Sequence, residues 1–486
     1  MPPLIGISPY KGIVLVLGNN LAMTLFIPPA NESLVFRYWK KIASSVLLIM
    51  LILFVWVAAN SIDKSSFDDK GLLDIFDEDF SDQKNAWPQI SNLVKTNSDY
   101  ADNSDFNRLK RHVFGQEWDE GFVVDLLERE KALIEFGSQL NESYYIKHAE
   151  GYDAILSVDF LPPIIFTRLL LLKSMALARQ GELSEALDFL LHAKNSALLM
   201  KENKNYTLIG YRIGEVCLRS SLFWAHQLVS NYPLEDSHYS TIKNIIDSIP
   251  SYHADGFENV FSGEYYFMQT SFEAELSKSI AERYKELKNL TETLGSDSEE
   301  FGVSSGIQGY LRVIWPRYYS HPNRFLHATA PHFIAFKEQS RYPCNNQVFS
   351  AYDEEFTTQK IYQSGLLISP ELYSFLRYFD DRCTVANYIE SMKAIVSLYW
   401  YKHENGEFPP DFAALIPNYS SRLPADYFSG KELHYSNADH WFYSGGKVNS
   451  NSKGSKEAMY VGICTDENVC WENPTISIHY DAELAW

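Results

Sequence analysis

The sequence predicts a mainly α-helical chain in three parts: a transmembrane helix near its start, a helical hairpin or bundle through its middle, and a small α+β module at its end. Three observations predict this. Ile42 to Ala59 is a run of eighteen residues without a charge. Between Asn107 and Phe336, apolar residues recur at helical spacing. After the last such stripe, paired runs with a period of two follow turn residues.

The uncharged run, IASSVLLIMLILFVWVAA, would span about 27 Å as a helix, close to the roughly 30 Å of a bilayer core. Trp39 and Trp56 lie near its ends, where indoles favour the interface. Arg37, Lys40 and Lys41 precede it, whereas residues 61–83 hold eight acids and two lysines. The positive-inside bias puts the N-terminus in the cytoplasm and the bulk of the chain beyond the membrane. In a Gram-negative bacterium that means a single-pass inner-membrane anchor and a periplasmic C-terminal part. Residues 1–41 are a cytoplasmic leader. Within it, Gly12 to Phe26 is apolar but broken by Gly18-Asn19-Asn20, so it is either a marginal second membrane segment or lies before a translation start at Met23.

Residues 60–105 are acidic and rich in Ser and Asp, a linker. A helical domain is expected over 106–340. Its first clear pattern, WDEGFVVDLLEREKALIEFGSQL, places Phe122, Val123, Leu126, Leu127, Leu133 and Ile134 on one side. Pro162 and Pro163 break the chain before a hairpin whose helices run from Phe166 to Ala178 and from Leu183 to Leu198, with Gly181 at the turn. Tyr206 to Leu228, Glu264 to Leu290 and Phe325 to Phe336 are further helices. A connector is placed at 341–384. From Val385, apolar residues at 388, 389, 392, 395, 396 and 399 form a stripe that Asn405-Gly406 and Pro409-Pro410 end. A short helix, DFAALIP, and two short strand patterns complete the unit at 385–486.

Two resemblances follow from these residues. Ala176 to Ala193, ALARQGELSEALDFLLHA, resembles a tetratricopeptide repeat, with small Ala176 and Ala186 where helices approach and Gly181 at the turn. One copy is visible, and a repeat array needs about three. Residues 385–446, from the helix ending in Asn405-Gly406-Glu407-Phe408-Pro409 through Leu423-Pro424, Asp426, Phe428 and Gly430, resemble the globular part of type II secretion major pseudopilins. The layout is similar also to uncharacterised envelope proteins that carry this module after a helical domain. Pseudopilins join their membrane helix directly to this helix; here more than three hundred residues intervene. Where their calcium loop would lie stands Gly445-Gly446-Lys447-Val448, and a lysine among oxygen ligands opposes calcium.

Net charge is -20, from 42 basic and 62 acidic residues, which excludes nucleic acid as a partner. Cys464 and Cys470 bracket a hairpin loop and are candidates for a disulfide; Cys344 and Cys383 are candidates for a second. Cys217, in an apolar helix, is expected to be a buried free thiol. His321, His327 and His332 are the densest histidine group, but gaps of six and five residues do not set two on one helical face as in HExxH sites. No P-loop, dinucleotide fingerprint or G-x-S-x-G elbow occurs, and no cofactor or metal is expected. The lead reading is a non-enzymatic, membrane-anchored scaffold that engages a periplasmic protein partner. An envelope hydrolase using dispersed carboxylates and histidines, acting on cell-wall or peptide substrates, and an accessory component of a secretion system are the alternatives.

Overall fold

The computed structural model describes residues 84–96, 104–140, 161–202, 207–251, 256–277, 322–342 and 370–427, with shorter pieces at 6–7, 12–16, 22–26, 38–39, 42–52, 430–436, 441–443 and 460–462 and a few isolated positions. Two units are distinguished, Met1–Lys64 and Ser65–Trp486.

In the first unit, β1 (Gly6–Ile7), β2 (Gly12–Val16) and β3 (Ala22–Phe26) form an antiparallel sheet. Val16 pairs with Ala22 and Gly12 with Phe26. The apolar stretch read as a marginal membrane segment is therefore a hairpin, and its Gly-Asn-Asn break falls between the two strands, where a turn is needed. The apolar helix α1 (Ile42–Ile52) follows. Its Ile42, Val46, Leu47, Leu48, Ile49, Met50, Leu51 and Ile52 are 46–71% exposed. Residues 53–59, the rest of the expected span, lie outside the described residues.

The second unit is mainly helical. Helices α2 (Trp87–Thr96), α3 (Ser104–Val113), α4 (Glu120–Arg129) and α5 (Lys131–Gln139) pack against α6 (Leu161–Gln180). The pattern read across residues 118–140 is two helices, because the backbone leaves helical geometry at buried Glu130. Val123, Leu126, Leu133 and Ile134 are buried as that pattern requires.

Helix α6 is apolar all round and long enough to cross a membrane, yet it lies in the centre of the core. A helix without a polar stripe belongs inside. Pro162 and Pro163 sit in its first turn, where missing N–H groups cost no helical bond, so they open the helix where the sequence reading placed a break. Gly181, with φ +85°, makes the left-handed turn into α7 (Leu183–Lys201), and the Gly181 and Glu182 amides donate back to Ala178 and Leu177. Helix α8 (Leu208–Asn231) then packs on α7. Polar groups cross-link all three: Trp224 Nε1 donates to Ser174 Oγ at 2.7 Å, and Ser174 Oγ donates to the Ala186 carbonyl at 2.5 Å.

Arg168 of α6 is the anomaly of this core. It is 5% exposed, its Nε and one terminal nitrogen have no acceptor, and its guanidinium sits 4.8 Å from the Phe106 ring centre. Burial pulls its pKa down to about 10, so it remains charged at neutral pH. An unpaired buried donor costs more than the ring contact returns. Arg168→Met keeps the stem and removes the charge, and is expected to raise stability by about 1–2 kcal/mol in urea unfolding. Beside it Cys217 is a buried free thiol, as expected, pushed up to about 11 by burial.

A second, aromatic core joins α8 to α10 (Phe257–Ser277), α11 (Pro322–Gln339) and α12 (Pro370–Asn405). Phe261 packs against Phe257, Phe336 and Phe379 at 5.1, 5.7 and 5.3 Å, and Tyr211 against Phe257 at 5.0 Å. Helix α10 begins seven residues before the expected Glu264. The helix expected from Val385 begins at Pro370, so it runs unbroken through the end of the stretch read as a connector.

Candidate binding cleft

Helix α12 buries two faces. Val385, Ile389, Met392, Ile395 and Val396 are buried and form the expected stripe. Opposite them Asn387, Glu390 and Ser397 hold the following turn. Asn387 Nδ2 donates to Asp426 Oδ1 at 3.0 Å and its Oδ1 accepts from the Tyr427 amide at 2.6 Å. Ser397 Oγ donates to the Tyr419 carbonyl at 3.0 Å. Glu390 Oε2 accepts from the Ala425 amide at 3.3 Å.

Gly406, with φ +82°, ends α12 as predicted. Asp411 caps the short 3-10 helix Phe412–Leu415 by accepting from the Ala414 amide at 3.0 Å. Strands β4 (Ala425–Asp426) and β5 (Lys431–Glu432) form a hairpin; β6 (His434–Ser436), β7 (Trp441–Tyr443) and β8 (Tyr460–Gly462) form an antiparallel sheet. Tyr435 stacks on Phe412 at 4.9 Å and donates to the Pro409 carbonyl, and burial pushes its hydroxyl up to about 12.

Against the same part of α12 lies α9 (Asp236–Asp247), with Tyr239, Ile242, Ile245 and Ile246 buried. Tyr239 stacks on Trp400, rings 8° from parallel, and its ring lies 5.3 Å from that of His403, so aromatic contacts join the two helices. Between α9, α12 and residues 412–424 opens a cleft of about 300 Å³. Its polar lining is Lys243, Asp247, Glu390, Lys393, Ser397, Ser420, Ser421 and Arg422; Ile246, Val396, Phe412 and Leu415 are among its apolar residues.

The charges are arranged unevenly. Lys243 pairs with Asp247 one turn on. Arg422 and Lys393 both bind Glu390 Oε1, at 2.7 and 3.1 Å, and the Glu390 side chain is 4% exposed. Three cations therefore face two carboxylates, leaving one positive charge in a chain of net -20.

Of the sequence candidates, His332 is buried in α11 at 7% exposure and faces no such cleft among the described residues. The side chains of His321 and His327 lie outside the described residues, as do Cys344, Cys464 and Cys470. Cys383 is buried in α12 and bonded as a disulfide; no disulfide joins two described residues. Among the described residues no three His, Cys, Asp or Glu side chains are placed to hold a metal ion. Glu390, Lys393 and Arg422 were not singled out from sequence. The available signal was a glutamate and a lysine three residues apart on an otherwise apolar helix, whose partner lies across a proline turn.

Compared with protein-family models, curated proteins and solved structures, the chain matches none.

Proposed function

We propose that this protein is a membrane-anchored interaction scaffold of a bacterial envelope, held by a helix over residues 42–59 and carrying its helical unit in the periplasm. The observation that carries this reading is α1. Its large apolar side chains stand about half exposed or more, which water disfavours and a lipid core does not. Basic residues before it and acidic residues after it support a cytoplasmic N-terminus. The bonded state of Cys383 agrees with an oxidising compartment, and we pair it with Cys344.

The order of elements after Pro370 supports a pseudopilin-like α+β module: a long helix, a glycine stop, a short 3-10 helix and antiparallel strands. We read it as a packing unit fused to the helical domain, since α12 contributes to both. The hairpin of α6 and α7 is read as a single tetratricopeptide-like unit within a bundle. A scaffold reading fits a site built of paired charges and a buried helical frame.

Carbonate extraction tests the anchor. The full chain is expected to stay with membranes, and the chain lacking residues 42–59 to be released. Release of the full chain by carbonate would contradict the anchor.

A further inference from the structure

The cleft between α9 and α12 has a charge pattern that a purely structural ion pair does not need. One carboxylate oxygen of Glu390 satisfies two cations at once. Arg422 uses one terminal nitrogen, Nη2, on Glu390; its Nη1 makes a 3.4 Å contact with the Leu423 carbonyl, and its side chain is half exposed. A guanidinium accepts a planar carboxylate on two parallel N–H groups, a geometry that Glu390 occupies on one side only. Lys393 and Lys243 reach the same space, and beside them lie Val396, Phe412 and Leu415. Cations above an apolar floor match a ligand that carries a carboxylate next to an apolar group.

We propose that this cleft binds an acidic peptide segment of a partner protein, with a side-chain carboxylate on Arg422 and Lys393 and a neighbouring apolar side chain against Phe412 and Leu415. The proposal rests on the scaffold reading and names the chemistry of its partner. A volume of about 300 Å³ takes one or two residues, so the contact is a short anchor within a longer interface. Glu390 is then a resident carboxylate that holds Arg422 and Lys393 in place and competes with the incoming one.

The test uses the full chain in detergent and a dye-labelled peptide, Gly-Gly-Leu-Asp-Gly with an amidated end, followed by fluorescence anisotropy. Binding is expected to weaken at least tenfold when the probe's aspartate is replaced by asparagine, and again in Arg422→Gln. Lys243→Gln, whose lysine already pairs with Asp247, is expected to weaken it by a smaller factor, and raising salt from about 50 to 500 mM to weaken it further. Unfolding curves for each variant show whether the fold is kept. Equal binding of the asparagine probe, equal binding by folded Arg422→Gln and Lys243→Gln variants, or no binding at millimolar peptide would overturn the proposal. Equal displacement by acetate and by unlabelled peptide would overturn it too, since that marks a simple anion site. Crosslinking in native membranes separates the two readings: a partner captured by both wild type and folded Arg422→Gln leaves the scaffold standing and removes the cleft from it.

Discussion

Phe261→Ala is expected to lower the stability of the helical unit by about 3–5 kcal/mol, read from urea unfolding followed by tryptophan fluorescence. Phe261 is fully buried, and its ring touches residues from α10, α11 and α12. Truncation leaves a void lined by three rings that their own helices hold in place. Collapse would need the helices to move together, and the α12 side is already fixed by packing on α8 and α9. The cost therefore belongs at the upper part of the range for aromatic truncations. A loss below about 1 kcal/mol would mean that the aromatic core is not a packed layer. A cycle with Phe379→Ala is expected to show a coupling of about 0.5–1.5 kcal/mol, because the two rings stack at 15°.

The second large effect has an inverted sign. In an ordinary helix interior, Gly→Ala stabilises by about 1 kcal/mol. At Gly214, in α8, an added Cβ would lie 2.4 Å from the Lys201 amide nitrogen and 2.6 Å from its Cα. The obstacle is the backbone of α7, which cannot turn aside as a side chain can. Gly214→Ala is expected to destabilise by about 2–3 kcal/mol, the helix-propensity gain being outweighed by separation of α7 from α8. The same unfolding measurement checks it; a raised midpoint would show that the helices do not meet there. Gly137 gives a milder comparison, because the nearest atom to its added Cβ is a Leu170 methyl carbon at 2.6 Å, and that side chain has rotamers to use.

What the sequence made legible follows from how local each signal is. The turn at Gly181 was readable because a left-handed residue between two apolar helices is a local requirement. The stripe from Val385 was readable because one face of a helix repeats every 3.6 residues. The true start of α12 carried a signal as well, Ser369-Pro370, but the mixed composition that follows it obscured the stripe. Helix α6 illustrates the opposite problem: apolarity all round suits both a membrane span and a core centre, and only its neighbours decide. Composition alone could not separate hairpin from helix over Gly12 to Phe26 either.

The cleft was not legible at all. Glu390 and Lys393 are one helical turn apart, but Arg422 reaches them across a proline turn and a 3-10 helix, and Lys243 comes from a helix about 150 residues earlier. Each residue alone reads as an ordinary surface charge. The packing of Tyr239 on Trp400 and His403, with the buried isoleucines of α9, brings the two helices to the distance at which the charges share one space.

The location of the helical unit relative to the membrane underlies the scaffold reading, the bonded state of Cys383 and the choice of partner. Fusions placed after Trp486 measure it directly. With the helical unit in the periplasm, an alkaline phosphatase fusion is expected to be active and a green-fluorescent-protein fusion dark. A fluorescent, phosphatase-inactive pair would place the helical unit in the cytosol and contradict it.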